Sequence, residues 1–199
     1  MSPPRSPRRH RHRACLALGA IAVALAAAPL SAVRADTPRA DVRVTQSGRV
    51  FVIEASFEAP VPPALAWQVL TDFERMETFV PNLADSRIIA SEDQRFTILQ
   101  HGIARFGPLT ARFESERVVT LTPPNVIRSV QTRGTMDKLE SVTTFTPSPT
   151  GTHLAYHVEV VPGALFPDVL TRHFLDHEVR EQFEAIVREM VRRKNASGG

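Results

Sequence analysis

The chain predicts an α+β domain in which a curved antiparallel sheet wraps one long C-terminal helix. Three observations carry this. Alternating strands are segregated from helices, which argues for an antiparallel sheet with helices packed to one side. Two short apolar helices follow directly after the first long strand. A helical stripe, Leu175, Val179, Phe183, Ile186 and Met190, comes after the last strand, with the spacing of one buried helix face.

The elements follow in order. Residues 42–46 and 49–58 read as a hairpin closed by Ser47-Gly48. In the second arm Phe51, Ile53, Ala55, Phe57 and Ala59 share one face and Glu54, Ser56 and Glu58 the other, so the odd-numbered face turns inward. Pro60, Pro62 and Pro63 mark a turn, residues 64–70 a first short helix, and Pro81 the end of a second. Thr71 and Asp72 stand between them and are expected to cap the second. Residues 86–90 and 95–103 pair around Glu92-Asp93-Gln94. The next strand, 109–121, ends at Pro123-Pro124-Asn125, a turn signal. Residues 126–132 return, and 139–146 with 152–161 form a last hairpin through residues 148–151. Pro162-Gly163 breaks the sheet, and Pro167 suits a first helical position because its missing N–H needs no partner there. The helix is expected over residues 168–193, about 39 Å at the usual rise, which is enough to cross a sheet. Arg188, Arg192, Arg193 and Lys194 crowd its end, where positive charge suits the helix dipole. Residues 195–199 read as a frayed tail. The pattern contains no internal repeat and no second folded domain.

Residues 1–35 stand apart. Arg5, Arg8, Arg9, Arg11 and Arg13 precede an uncharged, Ala-rich stretch from Ala14 to Leu30, and Val33-Arg34-Ala35 has the small residues of a cleavage site. This is the form of a secretory signal, leaving residues 36–199 as the mature domain. The apolar stretch is short for a membrane span; an uncleaved inner-membrane anchor is the alternative. A periplasmic or secreted location is expected. The whole chain has 24 Lys and Arg against 21 Asp and Glu, net +3. Six of those basic residues and none of the acidic ones lie in 1–35, so the rest carries 18 against 21, net −3. A nucleic-acid footprint needs basic residues clustered on the folded domain, and this class is excluded. The single cysteine, Cys15, lies in the leader, so the mature part has no disulfide and must be held by its core.

The stretch LTDFERMETFVPNL (70–83), Gln100-His101-Gly102 in a middle strand, Gly134, Leu154-Ala155-Tyr156 in the last strand and the closing VREQFEAIVREM (179–190) together resemble the START-like (SRPBCC, helix-grip) superfamily. The likeness points to its polyketide cyclase/dehydrase-like or coenzyme Q-binding-protein-like bacterial branch and covers about residues 40–194. It implies a sheet of about seven strands gripping the terminal helix, with a tunnel between them that in such proteins holds sterols, phospholipids, quinones or polyketides. Many relatives carry an aromatic where Thr143 stands here, so a larger or wetter cavity is expected.

The expected partner is a hydrophobic small molecule (lipid, quinone or polyketide-like), with transient contact at a membrane surface. The residues expected to wall its site are Trp67, Phe79, Val80, Gln100, Phe113, Ser129, Thr143, Phe166, Leu170, Phe174 and Phe183. Gln100, Ser129, Gln131, Ser141 and Thr143 are polar strand positions that can orient a polar head if they point inward. Arg117 shares a face with Phe113 and Ser115. Buried, it would call for an anionic ligand group; exposure is the commoner state for arginine. His173 and His177 lie one turn apart on the helix without a third metal ligand at convincing spacing, and read as a solvated flank. His153, His157 and Glu159 alternate on one face of the last strand and read as its wet outer side. No catalytic set, metal cluster or phosphate-cradling loop is found, so no cofactor is expected. Two further readings are a cyclase- or dehydratase-like enzyme and a ligandless envelope interaction module.

Overall fold

The computed structural model describes residues 40–106, 109–164 and 168–198. Eight strands form one antiparallel sheet: β1 (Asp41–Ser47), β2 (Val50–Ala59), β3 (Leu83–Glu92), β4 (Arg95–Phe106), β5 (Leu109–Thr122), β6 (Val126–Gly134), β7 (Met136–Ser148) and β8 (Gly151–Pro162). Their spatial order is β1-β2-β8-β7-β6-β5-β4-β3. Helix α1 (Pro63–Leu70) and a short 3-10 helix (Phe73–Thr78) link β2 to β3, and α2 (Asp168–Ser197) closes the chain. Pro167, the expected first helical residue, lies outside the described residues.

The alternation in β2 turns Phe51, Ile53, Ala55, Phe57 and Ala59 inward, each almost fully buried. The first hairpin closes with Ser47 opposite Val50, and Gly48 supplies the left-handed φ of +60° that this tight turn needs. Most strands run past their expected ends, because pairing with neighbours extends each ladder beyond the turn-forming residues. The outer face is wet, as expected for β8: His153 Nδ1 lies 2.8 Å from Glu58, His157 Nδ1 lies 2.6 Å from Glu54, and Lys138 donates to Glu159 at 2.9 Å.

Two expectations need correction. Asp72 occupies the position before the 3-10 helix but its side chain makes no capping bond; its carboxylate instead holds Arg75 at 2.9 Å and Arg193 at 2.7 Å. Thr71 donates back to the Trp67 carbonyl at 2.9 Å. The terminal helix also continues to Ser197. Lys194 donates to the Pro60 carbonyl at 2.6 Å and Ser197 to that of Arg193 at 3.0 Å, so this turn is tied down rather than frayed.

The interior divides in two. One cluster joins α1, the 3-10 helix and the later turns of α2 to the sheet, with Ala66, Val69, Val187 and Met190 at its densest part. The second lies under the first turns of α2 and contains Phe51, Ile53, Val158, Val160 and Leu175. Among the described residues, α2 approaches α1, β1 and β2 most closely along its backbone. A straight helix laid across a twisted sheet cannot follow all its strands. The space is left over the middle of the sheet.

Candidate functional site: a cavity under the terminal helix

That space is a cavity of about 280 Å³, near the lower end of the range for small-molecule sites. Its floor is the inner face of β4 through β8, its roof the first turns of α2, and one end is shut by Phe73 and Met76 of the 3-10 helix. Apolar walls come from Ile53, Val119, Ile127, Val158 and Leu175, among others.

A polar band crosses the floor. The register sets Gln100 on β4 opposite Ser115 on β5, Arg117 on β5 opposite Gln131 on β6, Ser129 on β6 opposite Ser141 on β7, and Thr143 on β7 opposite Tyr156 on β8. All of these side chains line the cavity. Part of the band is internally bonded. Arg117 Nη2 donates to Gln100 Oε1 at 2.5 Å, Gln100 Nε2 donates to Ser86 Oγ at 2.9 Å, and Ser86 Oγ donates to the Phe73 carbonyl at 2.5 Å. The rest is unspent: Arg117 Nε, Ser115 Oγ, Ser129 Oγ and Gln131 Oε1 are buried without a hydrogen-bond partner among the described residues. Native interiors leave few such groups; four around one cavity mark a place where something polar belongs.

The site is electrostatically unusual. Burial pushes the Arg117 guanidinium below its ordinary value, with the nearby Tyr156 hydroxyl opposing; arginine keeps its proton in proteins all the same. Burial pushes the Tyr156 hydroxyl up, with the Arg117 charge and a hydrogen bond to Ser141 opposing, so it stays neutral at pH 7. Glu178 of α2 also lines the cavity. Burial pushes its carboxyl up, while Asn82 Nδ2 donates to its two oxygens at 3.2 and 3.1 Å. With His177 and Glu181 it forms the one described grouping of metal-ligand types. Its buried member is committed to Asn82, and nothing else there indicates an ion.

Two glycines shape the rim. A side chain at Gly102 would meet the Asn82 carbonyl and the Phe113 ring, each at 2.2 Å, so only glycine lets that ring lie on the strand. Gly134 has a φ of +153° and a Cβ there would sit 2.3 Å from the Glu114 carbonyl.

Of the residues expected to wall the site, Val80, Gln100, Phe113, Ser129, Thr143, Phe174 and Phe183 line the cavity. Phe183 is shared with the core: its ring packs 4.5 Å from Phe57 and 5.0 Å from Tyr156. Trp67 does not line it; its ring packs on Phe145 at 5.5 Å, half-buried against the dense cluster. Phe79 does not line it either, and lies under the Arg193 guanidinium at 5.6 Å. Phe166 lies outside the described residues, and for Leu170 only the α2 backbone is described. The reading from sequence passed over Tyr156 and Glu178 and preferred an exposed Arg117. The signal for Arg117 was its place on the Phe113 face; Tyr156 shared the inward face of Leu154, Val158 and Val160.

Comparison with known proteins agrees with this geometry. No protein of curated function matches the sequence. The family model "Polyketide cyclase / dehydrase and lipid transport" matches residues 59–187. Similar solved structures include a STAR-related lipid transfer protein from Xanthomonas axonopodis (13% identity, TM-score 0.66, covering 78% of this chain and 94% of that one). A Zhui aromatase/cyclase from Streptomyces aligns at 18% identity and TM-score 0.62, over 75% of this chain and 99% of that one. A START superfamily protein from Mycobacterium smegmatis does so at 15% identity and TM-score 0.62, over 71% and 97%. At such identities the solved structures establish the shared fold alone. The family match spans more than half of the chain and carries the assignment: this protein belongs to the polyketide cyclase/dehydrase and lipid transport family of START-like (SRPBCC) proteins.

Proposed function

We propose that this protein is an exported carrier that holds one hydrophobic small molecule between its sheet and its terminal helix. The observation that supports this best is the largely apolar cavity of about 280 Å³ between sheet and helix, beside a core of almost fully buried side chains. Sequestration draws on burial of ligand surface at about 25 cal/mol per Å², and the polar band sets orientation. The lipid transfer named for the Xanthomonas structure fits the same physical design. Export rests on the basic and apolar character of residues 1–35. N-terminal sequencing of secreted or periplasmic protein tests it, and a start after Ala35 is the expected result.

Protein produced from the full-length chain is expected to bind the dye ANS saturably in its native state, to release it to lipid extract, and to yield an apolar compound to mass spectrometry after solvent extraction. Absence of both dye binding and extractable compound contradicts the proposal.

A second reading, a cyclase- or dehydratase-like enzyme, draws on Tyr156 and Arg117 facing one cavity. A neutral hydroxyl beside a fixed cation can polarise a carbonyl and shuttle a proton. Turnover of a poly-β-keto substrate, lost in Tyr156→Phe while binding persists, would favour it. The ligandless module requires a filled core, and the cavity weighs against it.

A further inference from the structure

We propose that the bound molecule ends in a single compact oxyanion, such as the carboxylate of a medium-chain alkyl acid, seated on Arg117. This rests on the carrier reading above and adds the chemical class of its ligand.

Arg117 carries a fixed positive charge inside the cavity, and among the described residues its side chain is held by the neutral Gln100 carbonyl oxygen at 2.5 Å. No carboxylate among the described residues acts on it; the titratable neighbour that does, Tyr156, is neutral at pH 7. A buried cation without a counter-charge is costly. This chain does pair its other inward-facing arginine: Arg193 has Glu189 and Asp72, both at 2.7 Å. Glu178 lines the same cavity, yet its oxygens accept from Asn82 and it makes no described ion pair with Arg117. Of the four groups left over, Arg117 Nε donates, the two serine hydroxyls can donate, and Gln131 Oε1 accepts. Arg117 Nε, Ser115 Oγ and Ser129 Oγ are buried and unpartnered. Ser115 is two residues from Arg117 on β5, and Ser129 lies on the neighbouring strand, two residues from Gln131, which pairs with Arg117. Donors grouped around a cation call for an acceptor with several lone pairs and negative charge, which is an oxyanion. A cationic end is repelled, and a neutral alcohol leaves the charge uncompensated. The space is modest, about 280 Å³, which favours a single tail over a two-tailed lipid.

The test uses three probes with one tail and different ends: dodecanoate, dodecanol and dodecyltrimethylammonium. Each is titrated into protein produced from the full-length chain. Dodecanoate is expected to bind about ten- to a hundred-fold more tightly than dodecanol, the span of a charge-assisted hydrogen-bonded contact, with the cation weakest. Arg117→Gln is expected to erase that preference by weakening dodecanoate alone, and Arg117→Lys to keep part of it. Equal binding of dodecanoate and dodecanol overturns the proposal and leaves the carrier reading intact, as does a preference that survives in Arg117→Gln. Should that variant not fold, the ranking of the three probes on the unaltered protein decides. Binding of none of them overturns this inference, and the carrier reading is then decided by ANS binding and the extracted compound.

Discussion

The two ends of α2 are built for different purposes. Its later turns press Val187 and Met190 into α1 and the sheet, where both are almost fully buried. There Arg193, braced by Glu189 one turn back on the same helix, ties the helix to the segment of the two short helices through Asp72 and the face of Phe79. Its first turns carry Phe174, Leu175, Glu178 and Val179 over a hollow. Beneath them lies a second arginine, Arg117, with no such partners among the described residues. The same helix thus holds the fold with one half and leaves room with the other. A cation with its charges matched is architecture; one left unmatched is a demand on something not yet bound.

Truncation should separate the halves most strongly. Met190→Ala is expected to lower unfolding free energy by about 2–5 kcal/mol, the usual loss for a fully buried side chain. Phe174→Ala, at a half-buried position facing existing space, is expected to lose no more than about 1.5 kcal/mol while weakening ANS binding. Urea denaturation of both variants checks the ranking, and equal losses would mean that no hollow separates the two ends.

The arginines sharpen the contrast. Arg193→Met takes one partner each from Glu189, which keeps Arg192, and Asp72, which keeps Arg75, and should cost about 2 kcal/mol, below the range for fully buried pairs because those partners remain and some solvent reaches the site. Arg117→Met removes an unmatched charge and should leave the empty protein as stable or more stable by about 1 kcal/mol. A large loss on Arg117→Met would show that its charge is already compensated.

Two buried glutamates on α2 extend the comparison to pH. Hydrogen bonds from Arg192 and Arg193 outweigh burial and hold Glu189 down at about 2, against an ordinary 4.5. Its stabilising contribution is therefore complete above pH 4.5 and disappears as pH falls toward 2. Glu178 is shifted upward by burial, so its ionised form burdens the fold at neutral pH and that burden lifts on acidification. Denaturation midpoints across pH 2–7 are expected to show a shallower acid loss in Glu189→Gln than in the unaltered protein. Glu178→Gln should be neutral or slightly stabilising at pH 7.

Much of this could be read from residue order. Alternation in β2 placed its odd residues inward, and the 4-4-3-4 stripe of α2 placed its buried face, because both signals are local. The polar strand positions Gln100, Ser129, Gln131, Ser141 and Thr143 were recognised as able to turn inward, and they line the cavity. What stayed hidden depends on distant partners. Asp72 looked like a cap because its true partner, Arg193, lies more than a hundred residues away. Trp67 looked like a wall because nothing local reveals that Phe145 covers it. Arg117 was read against the general habit of arginine, which says nothing of a particular cavity. Tyr156 sat in plain view on an inward face, and only the cross-strand register brings it to Arg117's side of the cavity.

Methyl NMR of the protein titrated with ANS tests the cavity most directly. The account predicts shifts in the methyl signals of Ile53, Val119, Val158 and Leu175, which line the hollow, with Val69, Val187 and Met190 unmoved in the dense cluster. Shifts confined to the exposed Ile89 and Val130 on the sheet's outside, or no shifts at all, would contradict it.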